Sequence, residues 1–351
     1  MSTASRTETG ALLRALALAA TVGVPHGPNP RVGCVLLAPD GTVLAEGFHR
    51  GAGTSHAEVD ALARAGGLVP GSTAVVTLEP CNHIGRTGPC AQALIEAGVS
   101  RVVFAQVDPN PVAAGGAETL RAAGVDVVGG ADAVGVVLVA QAVALNEIWT
   151  FAVSHGRPFV TWKAASTLDG RIAAADGTSR WITSAPARAE VHELRSQVDA
   201  VLVGTGTVLA DDPHLAVRRD GASLDPRQPV RVIVGLRDIP VGARVLDDTA
   251  PTLHLRTRDP LDVLTALFAR GVRHVLLEGG PTVAAAFVRA GVVDAVRWYV
   301  APALLGAGPS ALGDAGMSTV SEALRLQVLD VARVGADVRI DARVLRAMEE
   351  D

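Results

Sequence analysis

The chain has little cysteine, and this scarcity excludes one class of protein. Its 351 residues include three cysteines, Cys34, Cys81 and Cys90. Secreted domains that depend on disulfides carry an even and much denser set of cysteines. An odd count of three in a long chain therefore excludes a disulfide-stapled scaffold. Metal ligation and catalytic thiols are the chemistries that remain for these residues.

Lysine is almost absent. Lysine and arginine together number 31, and Lys163 is the one lysine among them. Arginine cannot replace lysine where a compact charge or a titratable amine is needed. Lys163 is therefore a candidate functional residue. The alternative is that it survives by chance in an arginine-rich composition.

The sequence also lacks a basic excess and a long hydrophobic run. Its net charge is −5 and its pI is about 6.0, whereas nucleic-acid-binding domains typically have a pI above about 9. The longest uncharged run, Ala133 to Asn146, is too short to cross a bilayer. The apolar segment Ala11 to Ala20 lacks the basic region that precedes a secretory signal. We expect a cytoplasmic protein that binds neither nucleic acid nor membrane.

Hydrophobic residues make up 49% of the chain, which is enough for two well-filled cores. A short apolar helix, a glycine and a β-branched run recur in both halves. Leu94 to Gly98 leads into Val102 to Phe104, and Leu267 to Gly271 leads into Val275 to Leu277. Because glycine suits the left-handed end of a helix, each unit predicts a helix followed by a strand. Both halves are therefore predicted to be α/β.

A boundary is predicted near Ala152 to Pro158, where glycine and proline interrupt the pattern before a new strand. We therefore expect domains at 1–152 and 153–351. All three cysteines precede this boundary and Lys163 follows it, so the two domains are expected to perform separate chemistries.

His56, Cys81 and Cys90 each stand at the end of a predicted helix or strand. One histidine and two thiolates form a three-ligand zinc site, which leaves a fourth position for water, as catalytic zinc requires. The start of the second helix is expected to favour a thiolate at Cys90. A structural zinc site, or three buried groups without metal, are the alternatives.

Glu58 follows His56 by two residues, so it would face away on a regular helix but can converge with His56 at a helix entrance. A carboxylate there can move a proton between water and a leaving amine. The H-x-E and P-C elements are those of zinc deaminases, although eight residues rather than two separate the cysteines here. The intervening segment 82–89 is polar and basic, and it can reach a substrate phosphate.

Several stretches closely resemble the bifunctional deaminase/reductase family of riboflavin biosynthesis (RibD type). They are Asn29 to Val35, His56 to Glu58, Thr77 to His83, Gly85 to Thr87 and Asp108 to Pro111. The resemblance implies a cytidine-deaminase-like α/β/α domain that deaminates a diamino-hydroxy-phosphoribosylamino-pyrimidine. It implies one zinc ion per chain, Glu58 as proton carrier and no ligand role for Cys34. The implied zinc ligands are His56, Cys81 and Cys90, and the implied substrate contacts are Asn29, His49, His83 and Arg86.

The resemblance is weaker at one place in this half. Many relatives carry a basic residue between glycines after the Asp108 to Pro111 motif, whereas Val112 to Gly116 has no charge here. A substrate contact from this segment is not expected.

The second half resembles the reductase half of the same family. The matching residues are Lys163, Asp169 to Arg171, Trp181 to Thr183, Val208 to Pro213 and Gly279 to Thr282. The resemblance implies a dihydrofolate-reductase-like α/β domain that uses NADPH to reduce a ribosyl chain to ribityl. The implied NADPH contacts are Ala165, Trp181, Thr207, Asp211, Gly279, Gly280, Pro281 and Thr282, and the implied substrate contacts are Ser179, Arg195, Leu215, Arg218 and Glu278.

Lys163 then acquires a role: it donates a hydrogen bond or proton to the sugar oxygen as hydride reaches the adjacent carbon. The alternative is a structural ion pair with Asp169 or Asp211. The glycines at 204 and 206 imitate a dinucleotide fingerprint, but Leu209 occupies the third glycine position. The group that binds the 2′-phosphate of NADPH is left open, with Arg237 as a candidate.

Three other functions are alternatives to the bifunctional enzyme. One is a zinc deaminase of nucleosides or RNA bases with an inert second domain, which the acidic pI and single lysine disfavour. Another is a zinc-stabilised binding module, which has no need of Glu58. The third is a redox sensor acting through Cys81 and Cys90. The resemblance extends from Gly10 to about Arg339, and exposed sheet edges in the second domain favour a homo-oligomer.

Overall fold

The computed structural model describes residues 3–24, 27–83, 88–219 and 223–345, and the chain divides into two compact units, Met1–His155 and Gly156–Asp351. The division expected after residue 152 falls inside a helix, Glu147–His155. This helix continues to His155 and ends where Gly156 adopts a φ of +64°, a conformation that favours glycine. The division between the two units therefore falls within the interval Ala152 to Pro158 that the sequence pattern indicated.

The first unit alternates helices and strands. Its strands are β1 (Gly33–Leu37), β2 (Val43–Phe48), β3 (Thr73–Leu78), β4 (Arg101–Gln106) and β5 (Asp126–Gly129). Its helices are α1 (Arg6–Ala19), α2 (Ala57–Arg64), α3 (Cys90–Glu96), α4 (Gly116–Ala122), α5 (Ala131–Val134), α6 (Val136–Leu145) and α7 (Glu147–His155).

The five strands form one sheet in the order β2-β1-β3-β4-β5, with β3, β4 and β5 parallel. Helices α2, α3 and α4 bury apolar residues against one face, and α1, α5 and α6 cover the other. Both faces are thus covered, which explains why strands such as Gly33–Leu37 are apolar throughout rather than alternating. The predicted α/β/α arrangement is confirmed.

The second unit is also α/β, as predicted. Its strands are β6 (Phe159–Thr167), β7 (Ala200–Gly204), β8 (Arg218–Arg219), β9 (Ser223–Leu224), β10 (Val230–Val234), β11 (Thr252–Leu255), β12 (His274–Leu277), β13 (Ala295–Ala301), β14 (Leu326–Val334) and β15 (Asp337–Val344). Its helices are α8 (Ala185–Ser196), α9 (Thr205–Asp211), α10 (Pro260–Phe268) and α11 (Pro281–Arg289), with 3₁₀ turns at Arg244–Leu246 and Val320–Glu322.

Eight of these strands form one sheet in the order β11-β10-β7-β12-β6-β13-β15-β14, and the first six run parallel. Strands β7, β10 and β12 therefore end at the same edge of the sheet. The turns that follow them bring together residues from distant parts of the sequence. This edge is where ligands bind in open parallel sheets.

Within the described residues, no single helix is both long and apolar enough to cross a membrane. The pair α6 and α7 meets the criteria of length and composition jointly, but the two helices are bent by 80° to each other.

Candidate active sites

The histidine and two cysteines predicted to bind metal lie together in the first unit. His56 precedes the first turn of α2, Cys81 follows β3, and Cys90 begins α3. The Nδ1 atom of His56 lies 3.2 Å from Sγ of Cys90 and 3.5 Å from Sγ of Cys81. Ligand atoms around a tetrahedral zinc ion with these donors are about 3.5 Å apart, as its bond lengths dictate. The donor set and its spacing therefore fit zinc.

The two thiols differ in their electrostatic surroundings. Sγ of Cys81 accepts hydrogen bonds from Cys90, including one from its backbone N–H at 3.5 Å, and these bonds lower the pKa of the Cys81 thiol to about 4. The hydrogen bond to Cys81, together with burial, raises the pKa of Cys90. The backbone N–H at the start of α3 thus favours a thiolate on Cys81, and the thiolate expected at Cys90 stays a prediction.

Cys34 has no place in this cluster. It lies within β1 with no exposed surface, and the potential metal-binding group consists of His56, Cys81 and Cys90. Burial raises the pKa of the Cys34 thiol well above its usual range. The structure therefore agrees with a packing role for this residue.

Glu58 belongs to the first turn of α2, is 4% exposed, and lies beside the three potential ligands. Its carboxyl group interacts with Cys90, Cys81 and His56, and burial raises its pKa to about 7. The convergence expected at a helix entrance is therefore found. His56 stands before the helix with extended backbone angles, so the two-residue spacing does not turn Glu58 away.

Some of the residues predicted to contact substrate in this unit lie close together. His49 Nδ1 lies 2.9 Å from the carbonyl oxygen of Ser55, and a carbonyl only accepts, so Nδ1 carries the proton. His49 Nε2 must then accept from the Asn29 amide at 3.1 Å, which leaves the Asn29 carbonyl oxygen for other partners. The His49 and His56 rings are 5.4 Å apart, which places Asn29 near the metal cluster.

Two further predicted contacts have different outcomes. His83 is half-buried, and its Nδ1 atom has no hydrogen-bond partner within the described part of the chain. Arg86 falls in segment 84–87, which lies outside the described residues.

The uncharged segment Val112 to Gly116 supports the metal cluster by packing. The backbone N–H of Asn82 donates to the carbonyl of Ala113 at 2.9 Å, and Ala113 is buried against Cys81 and Cys90. A side chain at Gly116 would come within 1.7 Å of the Pro80 carbonyl oxygen. This segment therefore holds the turn that carries Cys81.

In the second unit, Lys163 has a partner that neither alternative named. Its Nζ atom lies 3.7 Å from Glu278, which follows β12, and Arg195 of α8 donates to the same carboxylate at 2.6 and 3.0 Å. The charged partner of Lys163 is therefore Glu278 rather than Asp169 or Asp211, the partners considered in the alternative to a catalytic role. The Asp169 carboxylate instead accepts backbone N–H groups of Leu305 and Gly306.

These charges alter one another's pKa values. Burial lowers the pKa of Lys163, and the neighbouring Glu278 carboxylate opposes that change. Burial alone would raise the pKa of Glu278, but Arg195 and then Lys163 outweigh it and hold the pKa at about 2. Glu278 is therefore a permanent anion between two cations.

Other predicted substrate residues surround this charged group. His192 of α8, which the sequence analysis missed, is electrostatically coupled to Arg195, Glu278 and Arg218. Leu215 is buried with a φ of +57°, so the loop between α9 and β8 bends sharply before Arg218. Ser179 lies half-buried in the loop before α8.

A buried arginine that sequence reasoning also missed anchors the loop between α9 and β8. Arg231 of β10 has no exposed surface and donates to the Asp247 carboxylate at 2.7 Å and to the Ala250 carbonyl at 2.5 Å. Asp247 in turn bonds His214 at 2.5 Å. The signal in the sequence was a single arginine within the β-branched strand Val230–Val234.

The residues predicted to bind NADPH form the edge where β7 and β12 end. A side chain at Gly280 would lie 3.7 Å from Oγ1 of Thr207, and one at Gly279 would come within 2.9 Å of Val283. Both glycines are half-buried and carry no side chain, so the turn before α11, which begins at Pro281, presents a backbone surface. A cofactor that carries phosphates fits such a surface, because backbone N–H groups can approach it closely.

The other predicted NADPH contacts flank this edge. Trp181 is 70% exposed, and the Arg188 guanidinium lies 4.3 Å from the centre of its ring. The carbonyl of Asp211, the last residue of α9, accepts from Arg180 at 2.7 Å. Ala165 lies on β6, two residues beyond Lys163.

Comparison with known proteins gives consistent matches over most of the chain. Residues 6–106 match the cytidine and deoxycytidylate deaminase zinc-binding region, and residues 158–340 match the RibD C-terminal domain. The riboflavin biosynthesis protein RibD of Mycobacterium tuberculosis is 51% identical over 313 residues, which is 89% of this chain and 90% of that protein.

Two solved structures are similar in fold and sequence. Acinetobacter baumannii RibD superposes with a TM-score of 0.85 at 37% identity, covering 97% of this chain and 99% of that one. A diaminohydroxyphosphoribosylaminopyrimidine deaminase/5-amino-6-(5-phosphoribosylamino)uracil reductase of Thermotoga maritima has a TM-score of 0.80 at 35% identity, with the same coverage.

Proposed function

The chain belongs to the RibD family of riboflavin-biosynthesis enzymes, and from this premise we propose which residues carry out each of its two reactions. It is a bifunctional enzyme, with a zinc-dependent deaminase in the first unit and an NADPH-dependent reductase in the second. We propose that residues 1–155 and 156–351 hold these activities respectively. The observation that carries the proposal is the cluster of His56, Cys81 and Cys90 with Glu58 buried beside it.

The first substrate is 2,5-diamino-6-(5-phosphoribosylamino)pyrimidin-4-one, in keeping with the name of the Thermotoga maritima enzyme. His56, Cys81 and Cys90 would hold zinc, which when bound supplies the Lewis acidity that activates water for attack. Asn29 orients the pyrimidine, because His49 fixes its amide with the carbonyl oxygen available to a donor. His83 and Arg86 complete the proposed substrate contacts.

Glu58 moves the proton in this reaction. It takes a proton from the attacking water and returns it to the departing amine, so that ammonia leaves and a carbonyl replaces the C–N bond. Its position beside all three proposed ligands supports this role.

Reduction of the ribosyl chain follows in the second unit. NADPH, when bound, supplies the hydride, and its proposed contacts are Ala165, Trp181, Thr207, Asp211 and the residues from Gly279 to Thr282. Lys163 donates a proton to the sugar oxygen as the adjacent carbon is reduced. The Glu278 carboxylate at 3.7 Å supports this assignment, since it favours the protonated amine.

The substrate phosphate of this second step is assigned to Arg195 and Arg218, because an arginine presents a bidentate fork that suits a phosphate. Two hydrogen bonds commit Arg195 to Glu278, so Arg195 contributes its charge from a fixed position. Ser179, Leu215 and Glu278 line the remaining part of the proposed substrate site.

The test is mass spectrometry of the products formed from the diamino-pyrimidine phosphate, with and without NADPH. We expect exchange of an amino group for oxygen without NADPH, and the addition of two hydrogens once NADPH is present. If only the first change occurs, the reductase assignment fails. If neither occurs with zinc bound, the proposed substrate is wrong, and cytidine and deoxycytidine phosphates become the next substrates to test.

A homo-oligomer is proposed on the exposed edge of the second sheet. Strand β14 is the last strand of that sheet, and Val328, Leu329 and Val331 on it are all more than half exposed. Such an edge is covered in most proteins, and a second copy of the chain would cover it. Light scattering of the Val328→Lys variant should then show a smaller species than the wild type.

A cytoplasmic location is proposed because three buried free thiols suit a reducing compartment.

A further inference from the structure

Arg237 follows β10 and lies against the turn between β7 and α9. A side chain at Gly206, in the first turn of α9, would come within 2.9 Å of the Arg237 Nη2 atom. We propose that Arg237 binds the 2′-phosphate of NADPH and thereby sets the preference of the second unit for NADPH over NADH. This inference rests on the proposed function, because it assumes that the edge formed by β7 and β12 holds the cofactor.

The backbone places Arg237 at that edge. Strands β10 and β7 are parallel neighbours, with Val234 paired to Gly204, so they end side by side. Gly235 adopts a φ of +127°, and a side chain there would come within 2.7 Å of Oγ1 of Thr205. The two glycines, at 206 and 235, thus allow the loop that carries Arg237 to lie directly on the turn before Thr207.

The charges around Arg237 favour a phosphate over a ribose hydroxyl. A carboxylate after a strand at this edge typically binds the ribose hydroxyls of NADH and repels a 2′-phosphate. Here the candidate carboxylate is Asp238, and Arg256 forms an ion pair with it that lowers the pKa of Asp238. Arg256 also donates to the carbonyl of Leu236 at 3.2 Å, which fixes the pair beside the loop. The one acidic group of the Arg237 loop is thus neutralised.

Arg237 itself remains available. Its side chain is exposed and has no hydrogen bond or ion pair with any residue of 3–24, 27–83, 88–219 or 223–345. A guanidinium presents a planar pair of donors that matches a phosphate group. Two other arginines are already engaged: Arg180, beside Trp181, donates to the Asp211 carbonyl, and Arg188 of α8 donates to the Thr183 carbonyl.

The test compares binding of NADPH and NADH to the zinc-loaded full-length protein by isothermal titration calorimetry. The Arg237→Gln variant should bind NADPH about 10- to 100-fold more weakly, as expected for the loss of a charge-assisted pair of hydrogen bonds, and should bind NADH as the wild type does. Arg237→Lys, which keeps the charge but not the planar fork, should lie between them. Arg270→Gln is the matched control, because it removes the same charge from an exposed arginine beyond α10.

Fragments of the cofactor make the test specific for the 2′-phosphate. Wild-type protein should bind 2′,5′-ADP more tightly than 5′-AMP, and Arg237→Gln should bind the two equally. Unchanged preference for NADPH in both Arg237 variants, with a wild type that prefers NADPH, overturns the role of Arg237 and leaves the proposed function intact. An equal loss of NADPH and NADH affinity also overturns it. A wild type that binds neither dinucleotide overturns this inference together with the assignment of a reductase.

Discussion

The two units of the chain assemble their reactive groups in different ways. In the first, three ligands and Glu58 come from the ends of α2, β3 and α3, and short sequence motifs identify all of them. In the second, Lys163, Arg195 and Glu278 come from three separate elements and share no motif. A metal site is specified by the identity of its ligands, whereas a charged site depends on which opposite charges the fold brings into contact. A metal site can therefore be predicted from local sequence motifs, whereas a charged site can be predicted only from the order of strands in the sheet.

The strongest test of this contrast removes the proton carrier of the first unit. Glu58→Gln should reduce deamination about 10²- to 10⁴-fold, because the amide cannot exchange the proton, while zinc content stays at one ion per chain. Product analysis and metal analysis of the same preparation measure both quantities. Loss of zinc in this variant would show that Glu58 is part of a structural site instead.

An effect of similar size is expected in the second unit from Lys163→Met. Reduction of the deaminated intermediate should fall about 10²- to 10⁴-fold, since the sugar oxygen loses its proton donor, and deamination should continue at the wild-type rate. NADPH oxidation followed by absorbance provides the measurement. Reduction at close to the wild-type rate would refute the catalytic role of Lys163 and favour chance survival of this lysine.

Stability distinguishes the buried charges of the second unit from its surface charges. Arg231→Met should lower the free energy of unfolding by about 3 kcal/mol, because Asp247 and two carbonyls lose a buried donor. The control is Arg227→Met, where a partly exposed arginine 3.7 Å from Asp199 contributes about 0–1 kcal/mol. Urea denaturation compares the two. Equal effects would mean that the Arg231 network adds no stability of its own.

The smallest expected effect is a shift in the pH dependence of the reduction step. Lys163 must be protonated to donate, so reduction is lost as pH rises through its pKa, which burial has lowered. Glu278→Gln removes the charge that raises this pKa, so the alkaline limb of kcat should move to lower pH. Glu278 itself has a pKa of about 2 and adds no limb near neutrality. The control is Glu190→Gln, elsewhere on α8, which should leave the alkaline limb of kcat in place. An unmoved limb in Glu278→Gln would disprove the coupling between Glu278 and Lys163.

The sequence predicted the α/β class of both units, and the structure confirms it, because the alternation of apolar helices, glycines and β-branched runs is a local pattern. It predicted a boundary near Ala152 to Pro158, and the division between the two units falls inside that interval, at Gly156, where the last helix of the first unit ends. Sequence reasoning also considered only Asp169 and Asp211 as ion-pair partners of Lys163, whereas the structure places Glu278 beside it. Glu278 is adjacent only because β6 and β12 are parallel neighbours, with Leu277 beside Trp162.

The sequence alone therefore determined which residues are proposed to react: His56, Cys81, Cys90 and Glu58 in one unit, and the single Lys163 in the other. Tertiary structure decided what these residues contact. It assigned the lowered pKa to Cys81 and brought Glu278 between Lys163 and Arg195, and it buried Arg231 and placed Arg237 over Gly206. The physical reason is that pKa shifts and ion pairs depend on distances between groups far apart in the chain, and only the order of strands in the sheet fixes those distances.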